Sequence, residues 1–281
     1  MRLIKMTGGL GNQMFIYAFY LRMKRRWPEV RIDLSDMVHY HAHHGYEMHR
    51  VFALPRTEFC INRPLKKVVE FLFFKKVYER YLPKDGPAVW ERRWCRPLIY
   101  FKGFWQNERY FADIEDEVRR TFTFDTRQAN ERTLQMAATI DADPHAVSLH
   151  VRRGDYLLPK FYASSGCVCQ LSYYRNAVAE MLRRMPEAHF YVFSDDIEWV
   201  RANLPLPRAD YVDWNTGADS WQDMMLMSRC RHNIICNSTF SWWGAWLNAH
   251  PDKVVVAPDH WYAGDEHPAI VPEDWVKVST E

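Results

Sequence analysis

Short apolar runs alternate with longer amphipathic segments along the chain, and this alternation predicts strands and helices in turn. The predicted strands are residues 2–6, 30–34, 98–104, 145–151, 189–193 and 232–236. The predicted helices cover residues 14–27, 65–82, 110–122, 127–140 and 174–185, with another beginning at Ser220. Such a succession is typical of α/β proteins built on parallel sheets. The turn sequence at 141–144 predicts an N-terminal domain over 1–143 and a C-terminal domain over 144–281.

Composition narrows the class of protein. The chain has 281 residues, of which 48% are hydrophobic and 26% are charged, so a folded globular protein is expected. A formal net charge of +2 gives no surplus of cations for a nucleic-acid partner. No apolar run has the length of a membrane span, and the sequence enters a strand directly after Met1, so neither a transmembrane helix nor a signal peptide is predicted.

The cysteines and histidines predict no metal site. Six cysteines without a secretory signal indicate reduced thiols, and we therefore predict a cytoplasmic protein. Cys167 and Cys169 supply only half of a zinc-ligand pattern, and the histidines of residues 39–49 are spaced too loosely for a specific site.

Lysines on the helix predicted over 65–82 leave open a weak peripheral association with the inner membrane face, although packing on a core is the favoured interpretation.

A glycine turn over residues 7–13 (TGGLGNQ) connects the first predicted strand to the first helix, which indicates a βαβ unit. Gly9 and Gly11, with Asp33 about twenty residues further on, suggest a dinucleotide-binding dehydrogenase. This interpretation is weak because Met14 occupies the position of the third glycine, where close packing of helix and strand needs no side chain.

Two amide side chains follow these glycines. Asn12 and Gln13 stand at the helix entrance, beside the free backbone N–H groups of the first turn. Such a place can bind an anionic or hydroxyl-rich ligand. We therefore predict that this turn, with Gly9 and Gly11, contributes to a ligand site.

The strand predicted at 145–151 leads into two adjacent arginines. His150 lies within the strand, and Arg152, Arg153 and Asp155 follow at its carboxyl end, where open α/β sheets bind their ligands. Two planar, permanently charged guanidinium groups suit a polyphosphate, whereas an isolated arginine pair is more often a solvated surface feature. Asp155 can orient an arginine or accept a hydrogen bond from a ligand hydroxyl.

Two later strands also end in side chains suited to a nucleotide. Ser194, Asp195 and Asp196 follow one of them, and a carboxylate there can accept hydrogen bonds from guanine or cap the next helix. The other is followed by a helix start, which is a ready anion site. Its residues are Asn237, Ser238, Thr239 and Phe240. The three strand ends together predict a site for a nucleoside diphosphate, with arginines and helix N–H groups in place of a metal ion.

The ordered set of motifs resembles glycosyltransferase family 11, the galactoside α-1,2-fucosyltransferases, in their short bacterial form. The motifs are GGLGNQMF (8–15), FKGFWQNERYF (101–111), HVRRGDY (150–156), VFSDD (192–196), WQDMMLM (221–227) and NSTFSWWGAWL (237–247). The resemblance covers nearly the whole chain and depends on the set rather than on one motif. It implies a GT-B-like α/β fold, with two Rossmann-like domains facing each other across a cleft.

The resemblance also implies a chemistry. The donor is GDP-β-L-fucose, the acceptor is a galactose-terminated glycan, and fucose passes with inversion to the 2-hydroxyl of galactose, without an obligatory metal or other cofactor. By position, Arg152 contacts the diphosphate, with His150 and Asp155 beside it. Asp195 or Asp196 contacts guanine. Five further residues surround the phosphates and the sugar: Ser238, Thr239 and Phe240 at the β-phosphate, and Asn12 and Gln13, from the first domain, at the fucose or the diphosphate.

The sequence does not identify the general base that takes the proton from the acceptor hydroxyl. The candidates are Asp33, Asp36, Glu47, a histidine of residues 39–49 and Asp155. Trp105 stands where a tyrosine is frequent in the family, which leaves acceptor recognition open. The alternatives in function are a transferase for another GDP-sugar and a catalytically inactive protein that binds a glycan or a nucleotide.

Overall fold

The computed structural model describes residues 2–37, 44–54, 75–79, 98–263 and 270–281. The chain forms two compact units, Met1–Asp125 and Thr126–Glu281, each built on its own parallel sheet. The division lies before the predicted turn at 141–144, because the helix over Glu131–Ala142 packs within the second unit. No helix among the described residues is long and apolar enough to cross a membrane.

The first unit alternates strands and helices as predicted at 2–6, 30–34 and 98–104. Its elements are β1 (Arg2–Lys5), α1 (Leu10–Arg26), β2 (Val30–Asp33), α2 (Met48–Phe52), β3 (Lys75–Tyr78), β4 (Ile99–Lys102) and α3 (Glu115–Thr121). The described strands are parallel, in the order β2-β1-β4-β3. Most of α1 is buried, and its last turn carries Lys24, Arg25 and Arg26, which complement the negative end of the helix dipole.

The helix predicted over 65–82 is wrong where the structure describes it. Lys75–Tyr78 form β3, paired with β4 from Lys75 opposite Ile99 to Tyr78 opposite Lys102. Val77 and Tyr78 are residues that favour strands, and pairing with a buried neighbour decides between the two conformations. The rest of 65–82 lies outside the described residues apart from Glu79, so the amphipathic face and any membrane association stay predictions.

The second unit carries a larger sheet. Its elements are α4 (Glu131–Ala142), β5 (Ala146–Val151), α5 (Leu171–Arg184), β6 (His189–Ser194), α6 (Ile197–Asn203), β7 (Ala209–Val212), α7 (Trp221–Arg229), β8 (His232–Ile234), α8 (Thr239–Leu247), β9 (Val255–Pro258) and β10 (Val276–Val278). Short helical turns between Gly154 and Gly166 connect β5 to α5. The strands are parallel, in the order β10-β9-β8-β5-β6-β7. This is the strand order of nucleotide-binding Rossmann domains.

The centre of this sheet is a rigid platform. All six residues of β5 are buried, and Trp242 and Trp243 of α8 are both 0% exposed, so both rings lie in the core. Buried apolar surface contributes roughly 25 cal/mol per Å² to folding, and large aromatic rings bury the most. The loops at the ends of β5 and β8 therefore begin from fixed positions.

Each sheet has a switch point beside the first strand of its unit. β5 lies between β6 and β8, so the chain passes from β5 outward through β6 and β7, then crosses back to β8. In the first unit β1 lies between β2 and β4 in the same way. Loops that leave neighbouring strands at a switch point diverge and leave a crevice at the carboxyl ends. Each sheet can therefore bind a ligand at that edge.

Candidate functional site

Arg152, directly after β5, is held by two carboxylates. Its Nη2 and Nε lie 2.7 and 3.0 Å from Asp155 Oδ1, and its Nη1 lies 3.0 Å from Asp195 Oδ2. Burial lowers the pKa of this guanidinium, but the charges of Asp195 and Asp155 more than offset burial, so the pKa lies above its ordinary value. The side chain is 30% exposed. A fixed, accessible positive charge therefore stands at the carboxyl end of β5.

Arg153 is fixed by the aspartates that follow β6. Its backbone N–H donates to Asp195 Oδ1 at 2.8 Å, and its Nε donates to Asp196 Oδ2 at 3.0 Å. Its guanidinium carbon lies 3.7 Å from the centroid of the Trp199 ring, a cation–π contact. Asp196 also caps α6 by accepting the Trp199 N–H at 3.2 Å, and Ser194 Oγ accepts the Asp196 N–H at 3.0 Å. The residues predicted after β5 and β6 thus form one hydrogen-bonded cluster.

Gly154 allows a close approach within this cluster. A Cβ atom at this position would lie 2.5 Å from Asp195 Oδ2. Any side chain would push the Asp195 carboxylate away from Arg152. The glycine between the arginines and Asp155 is therefore required by the ion-pair geometry.

His150 is buried between β5 and the end of β8. Its Nδ1 lies 3.3 Å from Cys236 Sγ, and its ring centroid lies 5.8 Å from that of Phe240. Burial, together with the charge of Arg152, lowers the pKa of His150 to about 3. The imidazole is therefore neutral near pH 7, and it bridges two strand ends without adding positive charge.

Asn237 ties three segments together at the end of β8. Its Nδ2 donates to the backbone carbonyls of Ser165 and Trp261, at 2.9 and 3.0 Å, and its backbone carbonyl accepts the Tyr156 hydroxyl at 2.9 Å. Its Oδ1 is buried and has no hydrogen-bond partner in the part of the chain that the structure describes. Buried acceptors without a donor are uncommon. A buried acceptor of this kind is expected where a ligand or a water molecule supplies the donor.

The start of α8 lies beside Asn237, at the same edge of the sheet as the arginines. Ser238 is the N-cap, and its Oγ accepts the Phe240 N–H at 3.3 Å. Thr239 and Phe240 form the first turn of this nine-residue helix. The backbone N–H groups and the dipole of such a turn favour an anion. The structure thus brings the predicted residues after β5, β6 and β8 to one edge.

The predicted turn of the first unit lies at the switch point of its own sheet. Gly9 is the N-cap of α1, so Gly11, Asn12 and Gln13 belong to the first turn of the helix. Asn12 is half-buried, and its Oδ1 accepts the amide of Gln106, from the loop after β4, at 2.6 Å. Contact between Asn12 and a ligand stays a prediction.

Gln13 has the geometry of a positioning residue. Its side chain is 0% exposed. Its Nε2 donates to the carbonyls of Gly8 and Gly45, at 2.9 and 2.7 Å, and its Oε1 accepts the Glu47 N–H at 2.9 Å. Because the amide is buried and bonded to the backbone, this geometry does not support the direct ligand contact that the family resemblance implied. Gln13 instead ties the glycine turn to residues 45–47.

Asp223 is a half-buried carboxyl group in the helix predicted to begin at Ser220. It lies in the first turn of α7, which follows β7, and its Oδ1 accepts from Asn215 Nδ2 at 2.8 Å. Burial raises its pKa to about 8. The neighbouring Gln222 is buried, and its Nε2 has no partner among the described residues. The sequence signal for this pair was two polar residues, Gln222 and Asp223, at the start of an otherwise apolar helix.

Asp223→Asn is expected to stabilise the fold by roughly 2 kcal/mol at pH 7. The folded chain keeps a proton on Asp223 up to about pH 8, whereas an unfolded chain releases it near about pH 4. Wild-type stability therefore falls as pH rises between these values, and the asparagine has no such proton to lose. Urea unfolding at several pH values should show the stability gap widening with pH. A constant gap, or one matched by the exposed Asp213→Asn control, would contradict this.

The structure groups no three His, Cys, Asp or Glu side chains as metal ligands within its described ranges. Four of the cysteines, Cys167, Cys169, Cys230 and Cys236, are free thiols. The metal independence implied by the family stays a prediction.

Comparison with known proteins agrees with the motif set. The model of glycosyl transferase family 11 matches residues 4–279. An alpha-1,2-colitosyltransferase from Escherichia coli is 32% identical, over 98% of this chain and 97% of its own length. Galactoside alpha-(1,2)-fucosyltransferase 1 from Ateles belzebuth is 30% identical, over 66% of this chain and 54% of its own length.

A solved structure supports the fold. The fucosyltransferase NodZ from Bradyrhizobium aligns with a TM-score of 0.50 at 14% identity, covering 86% of this chain and 91% of NodZ. At that identity the likeness concerns the fold alone. It confirms the predicted GT-B-like α/β class, with two Rossmann-like units.

Proposed function

Because the chain belongs to glycosyl transferase family 11 and is a glycosyltransferase, we propose that it transfers L-fucose from GDP-β-L-fucose to the 2-hydroxyl of a terminal galactose. The transfer proceeds with inversion at the anomeric carbon and without a metal ion. The names of the relatives support α-1,2 transfer to a glycan, and the geometry of the second unit supports a diphosphate-bearing donor.

The observation that carries the proposal is the fixed arginine at the switch point of a Rossmann-order sheet. Arg152 is oriented by Asp155 and Asp195, and the N-terminus of α8 opens from the neighbouring strand end. Two anion-binding features of different kinds at one edge suit a diphosphate better than a single charge. Arg152 contacts the diphosphate in this proposal, and Ser238, Thr239 and Phe240 hold the β-phosphate.

The same groups supply catalysis. Negative charge develops on the departing GDP as the sugar–phosphate bond breaks, and each donor already in place can lower the barrier by about 3 kcal/mol. Asp155 and Asp195 keep Arg152 in place, so little reorganisation is needed during the reaction. Guanidinium and helix N–H groups can thus stabilise the charge on the leaving group, which a metal ion stabilises in other transferases.

In this proposal the guanine base lies at the aspartates after β6. A carboxylate can accept hydrogen bonds from N1–H and the 2-amino group of guanine. The side chain of Asp196 is 37% exposed and that of Asp195 is 26% exposed, so Asp196 is the better candidate. From the first unit, Asn12 contacts the fucose or the diphosphate, with Gly9 and Gly11 allowing close approach.

A second candidate donor follows from the colitosyltransferase relative. Colitose is L-fucose without the 3-hydroxyl, so a fucose site can accept it unless a buried polar group needs that hydroxyl as a partner. GDP-colitose is therefore the alternative donor.

Glu47 is the favoured general base among the five candidates. Asp33 is 0% exposed and accepts from Ser35 and Tyr100, and Asp36 lies 2.8 Å from Lys5 Nζ. Glu47 is also buried, at 4% exposed, and lies 2.7 Å from Arg50 Nη2. It differs from Asp33 and Asp36 in its pKa, which burial raises to about 7 although Arg50 opposes this shift. A pKa near the working pH suits a group that must accept a proton.

Glu47→Gln is expected to lower kcat at least about thirtyfold, because the amide cannot accept the proton. The wild-type rate should fall as pH drops below about 7, where Glu47 becomes protonated. This acid limb should be absent from the residual activity of the variant. Steady-state kinetics from pH 5.5 to 9 measure both effects, with Asp36→Asn as control. An acid limb that is unchanged in Glu47→Gln would show that another group accepts the proton of the acceptor hydroxyl.

Incubation of the purified protein with GDP-fucose or GDP-colitose, lactose and EDTA tests the proposed function. We expect GDP release together with an α-1,2-linked product, identified by mass and linkage analysis. Loss of turnover in EDTA that added Mg²⁺ or Mn²⁺ restores would contradict metal independence. GDP binding without turnover on any galactose-terminated acceptor would favour an inactive binding protein.

A further inference from the structure

Three loops meet at the carboxyl edge of the first sheet, where β1, β4 and β3 are neighbours. The glycine turn follows β1, residues 103–106 follow β4, and Glu79 directly follows β3. Glu79 lies in no motif of the family resemblance. Its place in the sheet nevertheless brings it to the edge that carries Asn12.

Glu79 binds the backbone of the loop after β4. Its Oε2 accepts the N–H groups of Phe104 and Trp105, at 2.8 and 2.7 Å, and its Oε1 accepts that of Gln106 at 3.0 Å. Successive N–H groups that converge in this way form an anion-binding concavity. Here the anion is a carboxylate of the protein. Burial raises the pKa of Glu79, and the three N–H groups oppose this shift.

The loop has an unusual conformation that these bonds hold in place. Trp105 has a φ of +57°, in the left-handed region that bulky residues rarely adopt. A Cβ at Gly103 would lie 2.5 Å from the Glu79 Cβ, so the glycine makes room for the glutamate. The Trp105 ring stacks on Phe19 of α1 at a centroid distance of 4.0 Å. Hydrogen bonds and ring stacking therefore connect Glu79, residues 103–106 and α1.

The loop in turn orients Asn12. Gln106 Nε2 donates to Asn12 Oδ1 at 2.6 Å. A side-chain amide has an acceptor at one end and donors at the other, so engaging Oδ1 leaves the Nδ2 donor end for other partners. The position of Gln106 thus decides which end of the Asn12 amide a ligand meets.

We propose that Glu79 is a positioning residue for sugar transfer: its carboxylate holds residues 104–106 so that Gln106 presents the donor end of the Asn12 amide to the GDP-sugar. The inference rests on the proposed function, in which Asn12 contacts the donor. Glu79 itself touches no substrate and acts through Gln106 and Asn12.

A double-mutant cycle of Glu79→Gln and Asn12→Ala tests this. A glutamine at 79 keeps one oxygen for two of the N–H groups but turns an amide donor toward the third, at Gln106. We expect Glu79→Gln alone to lower kcat about tenfold with donor and acceptor KM little changed, since orientation at the reacting centre is lost. In the Asn12→Ala background it should lower kcat by less than about twofold, because the group it positions is gone.

Gln106→Met provides a second test that leaves the Glu79 side chain intact, and it decides the matter if Glu79→Gln does not fold. It should lower kcat by a similar factor and also lose its effect in the Asn12→Ala background. Asp143→Asn is the matched control, because Asp143 is a carboxylate that accepts the His145 N–H at 2.9 Å and lies before β5, at the opposite edge of its sheet. This control should lower stability and change kcat by less than about twofold.

The outcomes separate the inference from the function on which it rests. A wild-type protein without transferase turnover would overturn both. Wild-type turnover with additive effects of Glu79→Gln and Asn12→Ala would overturn the positioning role alone. An unchanged kcat in Gln106→Met would do the same.

Discussion

Arg152→Lys is expected to lower kcat for sugar transfer at least about a hundredfold, corresponding to about 3 kcal/mol of lost transition-state stabilisation. The guanidinium of Arg152 contacts Asp155 and Asp195 at once, with three of its nitrogen atoms. A lysine ammonium is a single point and cannot keep both carboxylates while also contacting a phosphate. Steady-state measurement of GDP release, with circular dichroism to verify folding, gives the result.

Arg183→Lys is the matched control for this substitution. Arg183 makes a two-point ion pair with Glu180, at 2.9 Å from both Nε and Nη2, on the exposed face of α5. Surface ion pairs of this kind contribute little to stability. The control should retain wild-type kcat. Near-normal turnover in a folded Arg152→Lys protein would remove Arg152 from its catalytic role.

Asn237→Asp is expected to destabilise the protein by about 3 kcal/mol or more and to reduce transfer to background. The change replaces a donor, Nδ2, by an oxygen that faces the carbonyls of Ser165 and Trp261. The residue is 3% exposed, so water cannot screen the new charge. Loss of these bonds releases Ser165, in the helical turns that follow Arg152, whereas the bond from the Tyr156 hydroxyl to the backbone carbonyl of residue 237 is kept. Urea unfolding and GDP release are the measurements.

Asn203→Asp tests whether a negative charge alone accounts for such a loss. Asn203 Nδ2 also donates to a carbonyl, that of Trp199, at 2.8 Å, but the side chain is half-buried at the end of α6. Its carboxylate can turn to solvent, so the expected destabilisation is below about 1 kcal/mol. Equal losses in both variants would show that Asn237 has no special part in holding the segment.

The polar residues that follow buried strands were predictable from the sequence because each lies next to the apolar run that marks its strand. Arg152 and Asp155 lie within one turn of the end of β5, and an apolar run marks that strand without reference to the rest of the chain. Parallel strands then place their carboxyl ends at one edge, which brings the residues after β6 and β8 to the same place. The motif set added the family, which no single spacing identifies.

The contacts that depend on distant residues were not predictable in the same way. β3 lies within residues 65–82, whose lysines and aromatic residues have a spacing that fits a helix, and pairing with β4 makes residues 75–78 a strand. Glu79 has no local signal, since its three N–H donors come from residues 104–106. The buried state of Gln13 likewise depends on Gly45 and Glu47, which lie outside the glycine turn.

The central claim is that the carboxyl ends of β5 and β8 bind the diphosphate of the donor. Calorimetric titration of GDP into the wild type, Arg152→Ala and Arg183→Ala, all in EDTA, tests it most directly. We predict a single GDP site in the wild type, unchanged affinity in Arg183→Ala, and at least about thirtyfold weaker binding in Arg152→Ala. GDP bound equally well by a folded Arg152→Ala protein, or not bound by the wild type, would contradict the claim.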